Sequence, residues 1–173
     1  METVKALQAA VKSKNSCYLR LTGASNNPIV YNADYEFKIG KSITLKEGKD
    51  ITIFCAGSMV HQSLEAAKTL ETKNVSSKVV NMHTIKPIDN ESINEACNFS
   101  KLIVSVEEHN IIGGLGSAIA ENLAQNNKSP KLLTIGVNDH YSKGGSYKFL
   151  KEMHGLTEEK IINTITKEIK NEQ

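Results

Sequence analysis

Short apolar runs alternate with longer segments of helical period along most of the chain. Five of the runs have the length of β-strands and are rich in Ile and Val. The connections between the later runs are long enough for helical crossovers, which predicts parallel strands, whereas the short KEGKD connection at 46–50 predicts an antiparallel hairpin of the first two. The pattern predicts an α/β fold of three layers, with a five-stranded, mostly parallel sheet and one antiparallel edge strand. The predicted strands are Ser42–Leu45, Ile51–Cys55, Lys78–Met82, Leu102–Val106 and Lys131–Val137.

Three segments have the apolar period of helices that pack against this sheet. Met59–Thr72 and Leu115–Gln125 are predicted crossover helices, because their apolar residues fall on one face. A terminal helix is predicted to begin at Thr157, a residue type favoured as an N-cap, with Glu158 and Glu159 in the first turn, where the helix dipole stabilises acidic groups. The apolar face of this helix consists of Ile161, Ile162, Ile165 and Ile169.

The first 27 residues do not fit the same plan. Glu2–Lys12 has a helical apolar period, CYLRL at 17–21 has the composition of a buried strand, and TGASNNP at 22–28 is rich in turn-forming residues. We expect residues 1–27 to be the tail of a preceding domain with its linker, and residues 28–173 to be a self-sufficient α/β domain. The alternative is that CYLRL adds an edge strand to the main sheet.

Composition and charge exclude several classes of protein. Lys and Arg number 21 against 19 Asp and Glu, a net charge of +2 with both signs dispersed, so nothing indicates a nucleic-acid partner. No apolar run approaches the roughly 20 residues of a membrane helix and no signal-peptide core is present, which predicts a cytoplasmic protein. Cys17, Cys55 and Cys97 are odd in number and lack metal-binding spacing, so we expect buried, reduced thiols and no zinc site.

Two strand-to-helix turns contain glycine and could hold a ligand, because ligands of open α/β sheets bind beyond the carboxyl ends of the strands. The first contains Gly57 and Ser58, and the second contains Gly113, Gly114 and Gly116. Neither has the spacing of a dinucleotide fingerprint, and neither contains the Gly-Lys-Ser/Thr of a phosphate-binding loop. The expected role is a tight turn with close packing of the helix, although a helix N-terminus can still attract an anion.

The segment before the second glycine turn is the main candidate for chemistry. Glu107, Glu108 and His109 are consecutive, and strand alternation allows only Glu107 and His109 to face the same way. They could form an acid–base set, or they could line a surface or an interface. Ile111 and Ile112 are adjacent apolar residues in a connection that would otherwise be solvated, which favours an interface. The candidate interface or anion loop therefore consists of Glu107, His109, Ile111, Ile112, Gly113 and Gly114.

Four motifs, in order and spacing, resemble the C-terminal domain of the transketolase family of thiamine-diphosphate enzymes. They are GKSITLKEGKDITIFCAGSMVHQSLEAAKTLE, VVNMHTIKPID, LIVSVEEHNIIGGLGSAIAE and HYSKGGSYKFLKEMHGLTEEKI, and the match runs from about Tyr18 to Lys170. Deoxyxylulose-phosphate synthase and the beta subunits of 2-oxo acid dehydrogenases contain the same domain and are alternatives. The resemblance implies a sheet of four parallel strands and one antiparallel strand.

The resemblance also implies a division of labour. In this family thiamine diphosphate and its divalent cation lie between two upstream domains, so this chain is expected to bind neither and to be inactive alone, serving as scaffold and interface. Arg20, in YLRLTG, matches the arginine that helps hold the sugar phosphate. Expected partners are the remaining N-terminal domains or subunit and a second copy of the chain. The further alternative is a non-catalytic regulatory module that binds an anion.

Overall fold

The structure is a computed structural model that describes residues 1–23 and 28–171. Within these residues the chain forms five strands and six helices. The strands are β1 (Ile43–Lys46), β2 (Ile51–Cys55), β3 (Ser77–Asn81), β4 (Leu102–Asn110) and β5 (Lys131–Val137). The helices are α1 (Glu2–Lys12), α2 (Met59–Thr72), α3 (Asn90–Phe99), α4 (Leu115–Leu123), α5 (Tyr147–Met153) and α6 (Glu158–Asn171).

The five strands form one mixed sheet in the order β1-β3-β2-β4-β5. β1 is antiparallel to β3, and the β3–β2, β2–β4 and β4–β5 pairs are all parallel. Every residue of β2 and β3 is buried, because helices cover both faces of the sheet. This burial explains why the central strands read as continuous apolar runs without alternation. The predicted α/β fold, with one antiparallel edge strand, is confirmed.

The predicted hairpin between the first two strands is wrong. β1 pairs with β3, and β3 lies between β1 and β2. The connection passes across the start of β3, where the N–H groups of Lys49 and Asp50 donate to the carbonyl of Ser76. Gly48 makes this crossing sterically feasible, because a Cβ at this position would lie 2.1 Å from the carbonyl carbon of Ser77. A short connection thus joins two strands that are not hydrogen-bonded neighbours.

Helices cover the two faces of the sheet in pairs. α2 and α6 pack over one face, and α3 and α4 pack over the other. α2 has the predicted bounds, whereas α4 ends at Leu123, two residues before the predicted end. α6 begins as predicted, since Thr157 accepts a hydrogen bond from the Lys160 N–H. The predicted apolar face of α6 is confirmed: Ile161, Ile162 and Ile165 are buried, and Ile169 packs against the same cluster.

Asp89 joins the antiparallel edge strand to α3. Its carboxylate accepts the N–H of Ser92, which caps the helix, and also the N–H and hydroxyl of Ser42 at 2.7 and 2.9 Å. Burial alone would raise the pKa of Asp89, but the hydrogen bonds from Ser42 and Ser92 outweigh it and lower that pKa. The carboxylate therefore remains ionised and holds the start of β1.

The N-terminal segment agrees with the sequence analysis only in part. α1 has the predicted bounds, but residues 17–21 form no strand and are exposed, so neither interpretation of CYLRL as a strand is confirmed. A strand requires a neighbour for its N–H and C=O groups, and residues 17–21 pair with no strand of the described sheet. Part of the predicted linker, residues 24–27, lies outside the described residues.

The prediction of three buried thiols is wrong for one of them. Cys55 is buried, Cys97 is half-buried, and Cys17 is exposed because its segment does not join the sheet. All three are free thiols, and burial raises the pKa of Cys55 to about 12. Among the helices of residues 1–23 and 28–171, none combines the length and the hydropathy needed to cross a membrane.

Candidate functional site

β4 extends beyond the end of its pairing with β2, and its last residues include the three consecutive polar side chains of Glu107, Glu108 and His109. It ends at Asn110, four residues beyond the predicted end, so Glu107, Glu108 and His109 are strand residues. Alternation directs Glu107 towards α4 and Glu108 towards α2 and α5. His109 shares the side of Glu107, as predicted, with its Nδ1 4.0 Å from Glu107 Oε2.

The carboxylate of Glu107 occupies the N-terminus of α4. Glu107 is 4% exposed, and its two oxygens accept the N–H groups of Leu115 at 2.7 Å and Gly116 at 2.8 Å. Those amides belong to the first turn of α4 and have no acceptor within the helix. A carboxylate in this position complements the helix dipole and satisfies two donors of the first turn. The two hydrogen bonds give Glu107 the role of a helix cap.

The glycines around Glu107 provide the space that its side chain fills. A Cβ on Gly114 would lie 2.0 Å from Glu107 Oε2, and a Cβ on Gly136 would lie 3.2 Å from Glu107 Cγ. A Cβ on Gly116 would lie 2.7 Å from both Ser105 Oγ and Thr134 Cγ2. The glycine-rich turn is therefore shaped around a buried carboxylate of the same chain, and its helix comes close to the sheet as expected.

The loop that follows β4 is held firmly and exposes only one of its two isoleucines. Ile111 donates its N–H to the carbonyl of Val137 and packs against Gly136, so it is half-buried. Ile112 is 65% exposed. Ser117, in the first turn of α4, accepts the N–H of Gly113 and donates to the carbonyl of Ile111. The expectation that both isoleucines are exposed is therefore wrong for Ile111.

Glu108 links two helices on the other side of β4. Its Oε2 accepts the hydroxyl of Ser58, the N-cap residue of α2, and the phenol of Tyr147 at 2.6 Å. Burial and the neighbouring Glu108 carboxylate raise the pKa of Tyr147, so the phenol remains a donor. This link holds the first residue of α5 against β4 and the start of α2.

The geometry disfavours anion binding at either glycine turn. The N-terminus of α4 holds the carboxylate of Glu107, and the N-terminus of α2 faces the carboxylate of Glu108. A second anion at either place would meet like charge. The described residues contain no group of three or more His, Cys, Asp or Glu that could hold a metal ion.

The structure does not bring every predicted site residue together. Glu107, His109 and residues 111–114 lie together at the end of β4 and the start of α4, whereas Arg20 is exposed and makes no hydrogen bond or ion pair with the described residues. The sequence analysis missed the Ser58–Glu108–Tyr147 link, because these residues are far apart in sequence. It also missed Gly136, although a glycine inside a strand pattern is a signal of close approach.

The comparisons with known proteins converge on one family. The family described as transketolase, C-terminal domain, matches residues 40–161. A Methanocaldococcus jannaschii protein, provisionally described as a transketolase C-terminal section, is 38% identical over 172 residues, which are 98% of this chain and 53% of that protein. A 1-deoxy-D-xylulose-5-phosphate synthase of Dictyoglomus thermophilum is 38% identical over 130 residues, which are 74% of this chain and 21% of the synthase.

A solved structure has the same fold at similar identity. It is described as a split gene transketolase, inactive beta4 tetramer, and it matches with a TM-score of 0.73 and 39% identity over 81% of this chain and 45% of that chain. The chain spans about half the length of this structure and of the Methanocaldococcus relative. Fold and loop define an open α/β domain with one antiparallel edge strand and a carboxylate-capped glycine turn. The chain belongs to the transketolase C-terminal domain family.

Proposed function

We propose that this chain is the C-terminal portion of a transketolase-type enzyme that transfers a two-carbon ketol unit between sugar phosphates. Thiamine diphosphate would supply the carbanion chemistry and a divalent cation would bind its diphosphate, both held by the remaining N-terminal domains or subunit. This chain contributes a rigid domain and an interface. The observation that carries the proposal is the family match over residues 40–161, joined to relatives about twice as long.

The carboxylates at the carboxyl edge support this division of labour. A diphosphate group is stabilised by free backbone amides and positive charge at a helix N-terminus. Here Glu107 fills the first turn of α4, and Glu108 faces the first turn of α2. The residues at this edge therefore do not fit a diphosphate, and we assign no step of the reaction to them. Their role is to fix the loop after β4.

Residues 1–27 are proposed to belong to the preceding domain of the complete enzyme. The family match begins only at residue 40, yet the Methanocaldococcus relative aligns over 98% of this chain. This chain and the longer Methanocaldococcus relative thus both contain the N-terminal segment, although it lies outside the residues that match the C-terminal domain family. Arg20 within it is the proposed ligand of the sugar phosphate, since a guanidinium pairs with a phosphate through two parallel hydrogen bonds.

Reconstitution tests the proposed function. The chain alone, with thiamine diphosphate, Mg²⁺ and a ketose phosphate donor, is expected to show no ketol transfer. Mixed with the N-terminal transketolase section of the same genome, it is expected to transfer ketol units to an aldose phosphate. Turnover or micromolar binding of thiamine diphosphate by these 173 residues alone would contradict the proposal. Formation of deoxyxylulose phosphate from pyruvate and glyceraldehyde phosphate would instead favour the synthase alternative, which the Dictyoglomus match supports.

A second copy of the chain is the other proposed partner, and the loop after β4 is the proposed contact. Ile112→Asp places a charge at the exposed position and is expected to shift the chain towards monomer in sedimentation velocity, because a buried carboxylate without a partner is strongly unfavourable. Ile85→Asp, at another exposed isoleucine, is the matched control. Identical sedimentation of the wild type and Ile112→Asp would remove the loop from the interface.

A further inference from the structure

α1 is attached to the rest of the chain without a buried apolar contact. No residue of this helix is buried, and its apolar face is open, with Val4 60%, Leu7 55% and Val11 78% exposed. An isolated helix of 11 residues is only marginally stable in water. The face of α1 that meets the rest of the chain is half-buried and consists of Glu2, Lys5, Ala6, Ala9 and Ala10, of which Glu2 and Lys5 make polar anchors.

Two side chains of α1 anchor the helix to the rest of the chain, and the first of them is Glu2. Its Oε2 accepts the phenol of Tyr31 at 2.7 Å and the side-chain amide of Asn81 at 2.5 Å. Asn81 is the last residue of β3, is fully buried, and also donates to the Tyr31 oxygen. Burial and the adjacent Glu2 carboxylate raise the pKa of Tyr31, which keeps the phenol protonated as a donor. The carboxylate thus lies at the carboxyl end of β3 with two neutral donors converging on one oxygen.

The second anchor is weaker. Lys5 pairs with Asp34 at 2.7 Å, donates to the carbonyl of Tyr35 at 2.7 Å, and lies 5.0 Å from the centre of the Tyr35 ring. Asp34 is exposed, and ion pairs with an exposed partner contribute little to stability. Of the two polar anchors, Glu2 is therefore the stronger.

The surroundings of the Glu2 carboxylate have the character of a binding site for a small anion. Tyr31 and Tyr35 stack with ring centres 4.0 Å apart and form a wall beside it. The Tyr35 hydroxyl, His83 Nε2 and Asn81 Oδ1 are buried and have no hydrogen-bond partner among the described residues, so hydrogen-bonding capacity remains unused nearby. The pKa of His83 is lowered by burial and raised by the Glu2 and Asp89 charges, with burial dominating. The donors are thus neutral, and they suit a single carboxylate better than a dianion.

We propose that Tyr31 and Asn81 form a carboxylate-binding site at the carboxyl end of β3, and that Glu2 of the same chain occupies it. α1 (Glu2–Lys12) is then a strap, meaning a helix that covers the site and can detach from it. One consequence rests on the proposed function: if residues 1–27 belong to the preceding domain, the strap leaves the site when the two parts assemble. The site is then open to another carboxylate, that of a small organic acid.

Hydrogen exchange of the free chain tests the strap. Glu2→Gln and Tyr31→Phe each remove one part of the anchor, and exchange of the Leu7–Val11 amides is expected to accelerate about tenfold, while the β2 amides stay unchanged. Glu36→Gln is the matched control, since Glu36 is an exposed acid of the same segment that pairs only with Lys38 in the described structure. Unchanged exchange in α1 would overturn the anchor. Equal acceleration in β2 would show that α1 is part of the core and not a strap.

Chemical rescue tests the ligand class. In a Glu2→Ala variant of the full chain, formate is expected to shift the side-chain amide resonance of Asn81 saturably in the millimolar range, whereas chloride at equal ionic strength is not. Equal effects of the two salts, or none, would overturn the assignment of a carboxylate site. Both experiments use the free chain without cofactor or partner. A negative result in these two experiments therefore does not bear on the proposed function. A failed reconstitution, in turn, does not bear on the strap.

Discussion

A Glu107→Ala variant is expected to lose about 2–5 kcal/mol of its free energy of unfolding. The substitution removes the acceptor of two N–H groups in buried residues at the start of α4, those of Leu115 and Gly116. A buried donor left without a partner costs about 1–3 kcal/mol, and two are affected here. The charge that balances the helix dipole is lost as well. The space between Gly114 and Gly136 would remain partly empty, which adds a packing term.

Glu108→Ala is the matched control, because it removes the neighbouring carboxylate from the same strand. Glu108 is half-buried and its donors are hydroxyl groups that can turn towards water, so we expect a loss of only about 1 kcal/mol. Urea denaturation of the two variants and of Glu107→Gln measures the difference. Glu107→Gln keeps the shape and one acceptor oxygen, and it is expected to fall between the other two. Equal stability of Glu107→Ala and Glu108→Ala would contradict the capping role.

The second large effect is expected on catalysis by the reconstituted enzyme. Arg20→Ala should lower kcat/KM for a phosphorylated acceptor about 100-fold, while the value for an acceptor without phosphate should remain nearly unchanged. Loss of a bidentate, charge-assisted contact corresponds to roughly 3 kcal/mol, and each 1.4 kcal/mol is about tenfold in rate. Arg20 is the only arginine of the chain, which otherwise uses lysine at its basic positions. This choice suits a site that needs a planar fork of donors.

Two further variants make the Arg20 experiment specific. Arg20→Lys keeps the charge but loses the fork, so partial activity with the phosphorylated acceptor is expected. Lys14→Ala removes a charge from the same N-terminal segment and should leave both acceptors unaffected. If Arg20→Ala slows the two acceptors equally, Arg20 does not recognise phosphate, and its effect must come from folding or assembly of the N-terminal segment. The isolated chain cannot substitute for this experiment, because Arg20 is exposed there and has no partner among the described residues.

Local pattern identified most of the elements but not how they pair. The bounds of β2, β5, α1 and α2 were predictable because the period of apolar residues depends only on neighbours in sequence. The hairpin was wrong because a short connection is equally compatible with a chain that passes across the start of another strand. The contacts that distinguish the two, such as the approach of Gly48 to Ser77 and the hydrogen bonds of Lys49 and Asp50 to Ser76, join segments far apart in sequence.

The sequence by itself determined the α/β class, the apolar faces of α2 and α6, and the alternation that places Glu107 and His109 on one side of β4. These follow from backbone geometry, which is the same wherever the segment lies. Tertiary structure alone decided that Glu107 is a buried cap, that Ile111 is half-buried while Ile112 is exposed, and that residues 17–21 form no strand. Each of these outcomes depends on whether a distant segment supplies a donor, a packing surface or a hydrogen-bonding neighbour. Such long-range contacts leave no period in the sequence.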